Sequence, residues 1–247
     1  MLERTGQRKM NNVITIAGRE LKAYIFSPLA WIIIALFAFF TGFVFVQILV
    51  QSRQADLTPI FGWVAVLALI LTPALTMRLF SEEYKLGTME LLLTAPARDW
   101  QIVLGKFLAA WLGFAILLVP TLWQVLILRR YGEPDFGIIG SSYLGVLLLG
   151  AAFVGVGMFA SALTQNQFIA YMIGMIFLLF LWIADAPANA MGGSNLVADF
   201  MRQISLPGHF QDFFSGILDV QHLLYFVSLA LISIVVTTLV VSSRRWR

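Results

Sequence analysis

The chain has 247 residues, of which 60% are hydrophobic and only 12% charged, with a formal net charge of +3. A soluble domain of this length carries about twice that charged fraction, so the bilayer, rather than water, is the solvent to be satisfied. There is no cysteine, which excludes disulfides and thiolate chemistry, and the two histidines, His209 and His222, leave little material for a metal site.

In chain order, residues 11–28 read as an amphipathic helix. Val13, Ile16, Ala17, Leu21 and Tyr24 share one face, with Asn12, Thr15, Arg19 and Lys22 opposite. Such a helix is expected to lie in the membrane interface against lipid, and Ser27-Pro28 to turn the chain into the bilayer. Six apolar segments follow, at 29–50, 59–77, 107–128, 143–163, 168–184 and 223–241. They are continuous rather than alternating, and a spanning segment must satisfy its own backbone, so each is predicted to be a helix. Pro73 and Pro120 are expected to kink the second and third spans. The first span is longer than a signal-peptide core and is expected to stay as an anchor.

Between the second and third spans lies SEEYKLGTMELLLTAPARDW, residues 81–100. Glu82, Glu83 and Lys85 are predicted to carry the second span beyond the headgroups, and Gly87 to change the chain direction. Thr88 is the expected N-cap of a short helix, Met89–Thr94, with Glu90 at its positive end. Pro96 stops that helix, and Asp99 is expected to cap the next one, which carries Arg98 and Lys106 at the membrane surface. A helix this short is not stable alone in water, so Met89, Leu91, Leu92 and Leu93 need a surface to pack against.

The fourth span carries Gly145, Gly150, Gly155, Gly157 and Ser161 at small-xxx-small spacings suited to close packing within the bundle. Residues 185–222 form the longest segment outside the spans. A loop is expected first, then two short amphipathic helices separated by a break at Pro207-Gly208. Their aromatic residues Phe210, Phe213 and Phe214 are candidates for closing the outer end of a pathway; the alternative is that they rest on the leaflet.

Basic residues set the expected orientation. Twelve of the 16 Lys and Arg fall before the first span, in the second-to-third loop, or in the tail. This bias places both termini and residues 81–100 in the cytoplasm. No span centre carries an ionisable residue of the kind proton- or ion-coupled carriers commonly use. There is no HExxH, GxSxG or P-loop, so ATP, if used, binds another protein.

The pattern Glu83-x-Lys85-x-Gly87-Thr88-x-Glu90-x-Leu92-x-x-x-Pro96-x-Arg98, followed by Gly105-Lys106, resembles the coupling-helix region of type 2 ABC-transporter permeases. The stretch Ile204–Phe226 further resembles the gliding-motility-associated branch of that family. The resemblance implies a single all-α permease domain, residues 1–247. Six transmembrane helices would be joined by an interfacial helix, a cytoplasmic coupling helix and two outer amphipathic helices. It also implies that Glu82, Glu83, Lys85, Gly87, Thr88, Met89, Glu90, Leu91, Leu92, Pro96 and Arg98 contact the ATPase. No catalytic site, cofactor or metal is expected in this chain; ATP-Mg would sit in two separate ABC ATPase subunits. The remaining partners implied are a second permease, identical or related, a companion with a large periplasmic part, and membrane lipid, but not nucleic acid. The expected location is a bacterial inner membrane, and the expected role is ATP-driven export. The alternatives are a mechanotransmitter that moves a periplasmic partner, and an ATP-independent scaffold or channel.

Overall fold

The computed structural model describes residues 2–52, 57–89, 98–190 and 196–244, and all regular structure among them is helical. The helices are α1 (Leu2–Ile25), α2 (Pro28–Ser52), α3 (Thr58–Thr76), α4 (Arg78–Leu86) and α5 (Asp99–Tyr131). They continue with α6 (Phe136–Leu163), α7 (Gln167–Ile183), α8 (Asp185–Ala190), α9 (Leu196–Ile204), α10 (Leu206–Phe214) and α11 (Val220–Arg244). Six are long and apolar enough to cross a membrane: α2, α3 running on into α4, α5, α6, α7 and α11. The protein is an all-α membrane protein. Among the described residues, six crossings put α1, the end of α4, the start of α5 and the end of α11 on one side, the near end, and α8 to α10 on the other, the far end.

The helices begin where a cap is available rather than where the apolar run starts. Asp135 accepts from the Gly137 and Ile138 amides at 2.7 and 3.3 Å, which starts α6 seven residues ahead of the predicted span. Asn166 does the same for α7. Pro73 and Pro120 lie inside α3 and α5, and α3 ends in a turn at Met77, four residues after Pro73.

Helix α6 is the centre of the bundle, with 72% of its apolar stretch buried against 22% for α2. Its small residues explain this. A Cβ built on Gly150 would meet the Phe114 ring at 2.0 Å, and one on Gly155 would meet Ser233 at 2.9 Å. Absent side chains let α5 and α11 approach closely, as the glycine spacing predicted. The other long helices turn large apolar residues outward, as helices bathed in lipid do.

Three expectations are corrected at the ends of the bundle. The chain turns at Ser27-Pro28 as expected, with α1 ending at Ile25 and α2 starting at Pro28, but α1 packs on α5 rather than only on lipid: Val13 and Ala17 are buried and Ile16 lies against Gly105. The face predicted to be apolar is the one that meets protein. At the far end, the expected loop after the fifth span contains helix α8. The break between the two outer helices falls at Ser205, not Pro207-Gly208. Ser205 is the N-cap of α10 and Pro207 sits in its first turn, where a missing amide hydrogen costs nothing.

Candidate functional site

The densest polar network surrounds α4. Its start is a break, and a break exposes backbone groups that must find partners. Ser161 of α6 supplies them: its Oγ accepts from the Phe80 and Ser81 amides at 3.0 and 3.1 Å and donates to the Met77 carbonyl at 2.9 Å. Gly157, one turn earlier, lets Thr76 come so close that a Cβ there would sit 2.1 Å from its hydroxyl. One small-residue face of α6 therefore holds both sides of the break.

The end of α4 is equally defined. Gly87 takes φ +69°, the left-handed region that other residues avoid. Its amide donates to the Tyr84 carbonyl at 3.3 Å and that of Thr88 to the Glu83 carbonyl at 3.1 Å, closing the helix as a Schellman turn. Thr88 thus takes part in closing α4, and Met89, directly after it, is helical, as expected of a residue that follows a helix N-cap.

Along its length, α4 is tied to three other helices by charge. Lys106 of α5 is buried, its side chain 1% exposed, with Nζ 2.8 Å from Glu83 Oε1 and 3.4 Å from Glu20 Oε1 of α1. The ammonium also lies 5.3 Å from the centre of the Phe80 ring. Arg244 of α11 reaches across from the other side, donating to the Leu163 carbonyl at 2.8 Å and lying 4.3 Å from the Tyr84 ring. Arg78 donates to Ser27 Oγ at 2.7 Å, and the Tyr24 hydroxyl to the Leu75 carbonyl at 2.8 Å. Burial pushes the Tyr24 phenol above its usual value, so it remains a neutral donor.

Of the residues singled out by sequence, Glu83 turns inward, while Glu82 stays half-exposed, 3.9 Å from Arg78. Lys85 and Gly87 are exposed. Met89 is buried in the core, so it is not on the presented apolar face where it was placed. Arg98, not Asp99, precedes the first turn of α5, and its amide donates to Gln101 Oε1 at 2.9 Å. Glu90, Leu91, Leu92 and Pro96 lie outside the described residues. Lys106, placed at the membrane surface by its sequence position, is instead the hub of the network. Sequence reasoning also missed Glu20 and Arg244, and read Ser161 only as a small packing residue. Glu20 was detectable, because it stands four residues from both Ile16 and Tyr24 on the apolar face of α1.

The far-end candidates sit differently. Phe210 and Phe213 are buried and Phe214 half-buried. Phe213 fills the notch left by Gly145, where a Cβ would meet it at 2.7 Å, and its carbonyl accepts from Ser141 Oγ at 2.8 Å. Phe214 lies 4.4 Å from Phe210 and 6.3 Å from Phe61, centre to centre. Helix α10 is wedged among the spans rather than resting on a leaflet. His209 stacks on Tyr225 at 3.9 Å, and His222 pairs with Asp212 at 2.7 Å. Burial pushes the His209 imidazole below its usual value.

These two clusters bracket an apolar bundle: a charged hub at one end and a ring-packed plug at the other. Residues 51–243 match the family model described as ABC-2 family transporter protein. No curated protein matches the chain.

Proposed function

The chain belongs to the ABC-2 transporter family, and from that premise we propose that residues 81–100 form the coupling loop through which a separate ABC ATPase drives the spans. Members of the family are membrane permease subunits without a nucleotide-binding domain of their own, working with an ABC ATPase and a second permease. The finer reading is that ATP-Mg in two ATPase subunits powers export across a bacterial inner membrane. In that reading both termini and the loop face the cytoplasm, consistent with the basic residues gathered there.

One observation supports the coupling role most. The buried ammonium of Lys106 joins α4, which leads into the loop, to α1 and to α5, which leaves it. Pushing on the loop would therefore move the interfacial helix and two spans as one body. A nucleotide drives such a movement only through different contacts in its two end states, and a loop whose flanking helices are held this firmly is where those contacts can act. The similarity of Ile204–Phe226 to the gliding-motility-associated branch extends the proposal to a companion with a large periplasmic part. Mechanotransmission to that companion is the second reading, favoured by the apolar spans, which offer little lining for a polar substrate.

Copurification tests the proposal. The detergent-solubilised chain is expected to bring down an ABC ATPase, and Leu91→Ala combined with Leu92→Ala to lose it while inserting into the membrane normally. Full ATPase retention by that double variant would show that docking lies elsewhere.

A further inference from the structure

Two adjoining clefts beside the near-end network are used by nothing above. The first is an apolar cavity of about 240 Å³ between the first turns of α2 and the bundle, lined by Ala30, Ile34, Leu75, Gly113 and Ile116. It is roughly eight times the volume a water occupies, and its lining offers water almost no polar partner. The second is a polar cleft of about 80 Å³ lined by Glu20, Arg78 and Glu82. Tyr24 lines both and stands between them. The arrangement is ordered by depth. The apolar walls come from the ends of spans, while the charged walls come from α1 and α4, which lie at the membrane boundary.

We propose that the paired clefts hold one phospholipid, with an acyl chain in the apolar cavity and an ethanolamine headgroup in the polar one. Charge complementarity selects this occupant. Arg78 has five N–H donors, one of them spent on Ser27, leaving others for a phosphate. A phosphate alone would be poorly placed, because Glu82 stands 3.9 Å from the same guanidinium and Glu20 lines the same cleft. A headgroup with a phosphate followed by an ammonium satisfies both signs, its three N–H donors reaching the half-exposed Glu82. Glu20 is already matched by Lys106 and Arg19 at 3.4 and 3.0 Å, so Glu82 is the discriminating carboxylate. An anionic glycerol headgroup brings the phosphate without the ammonium and faces Glu82 unmatched. The lipid would fill the angle between the interfacial helix and the first span.

The proposal does not depend on ATPase docking, and its test has no ATPase in it. The purified, delipidated chain is incubated in mixed micelles with equal amounts of phosphatidylethanolamine and phosphatidylglycerol, and bound lipid is counted by native mass spectrometry. The wild type is expected to retain one phosphatidylethanolamine in about tenfold preference, the factor that one charge-assisted contact supplies. Glu82→Gln should bring that preference close to one. Gly113→Leu, which fills the apolar cavity, should abolish retention; where it fails to fold, Ala30→Leu serves the same purpose. Equal retention of the two lipids by the wild type, or selective retention by a folded cavity-filled variant, overturns the assignment.

Discussion

The two ends of this bundle are closed by different physics. At the near end, α4 is fixed by directional contacts: the Ser161 hydroxyl at its start, the Glu83–Lys106–Glu20 cluster along it and Arg244 on its far side. At the far end, α10 is fixed mostly by rings, with Phe213 seated against Gly145 and Phe210 against Phe214. Charged and hydrogen-bonded contacts at low dielectric hold one geometry and are costly to leave half-made. Ring packing is less directional and loses its energy gradually as surfaces slide. An end built to pass on a displacement should resemble the first; an end that must part should resemble the second.

The largest single effect should come from Lys106→Met. It leaves two carboxylates facing each other in a buried site, and breaking a buried pair in this way costs about 3–5 kcal/mol. Unfolding of the purified chain in mixed micelles would measure it, and a loss near zero would mean water already reaches the cluster. Ser161→Ala should cost about 1–3 kcal/mol, because the Phe80 and Ser81 amides at the helix break lose their partner together, while the Met77 carbonyl keeps the Ser81 hydroxyl. At the far end, Gly145→Ala forces Phe213 out of its notch, an overpacking cost of about 1–3 kcal/mol. Its signature should be faster exchange of the α10 amides, with α4 unaffected.

The smallest effect is one of pH. Because burial holds the His209 imidazole below its usual value, the unfolded chain takes up a proton more readily than the folded one. Far-end stability should be constant above about pH 6.5 and fall below it, since protonation then favours the open state. Asp212, His222 and Tyr225 face the same ring, so the comparison is wild type against His209→Phe, by hydrogen exchange at pH 8 and pH 5. An unchanged pH response in the variant would contradict the role given to His209.

The contrast between the ends also explains what the sequence made legible. Apolar runs report lipid-facing length directly, so the six long helices and the close-packed face of α6 could be read from composition and glycine spacing. Caps were less legible: Asp99 was expected to cap α5 where Arg98 precedes it, and the caps at Asp135, Asn166 and Ser205 were not read at all. Asp135 and Asn166 lengthen or start helices beyond their apolar cores, and Ser205, not Pro207-Gly208, divides α9 from α10. The near-end hub was hidden for a different reason. Lys106 next to an apolar run reads as a surface anchor, and nothing local says that Glu20, 86 positions earlier in the chain, will neutralise it. Ion pairs across such separations are set by tertiary packing, here by Gly105 allowing Ile16 and the rest of α1 to lie close.

The central claim is that the charged end, and not the ring-packed end, meets the ATPase. The direct measurement is the affinity of the copurifying ATPase for three purified forms of the chain in detergent: wild type, Lys106→Met and Gly145→Ala. The account predicts that Lys106→Met weakens ATPase binding by at least tenfold, because the loop loses its rigid base, whereas Gly145→Ala binds as the wild type does. Equal affinities for all three, with Lys106→Met still folded, would contradict it.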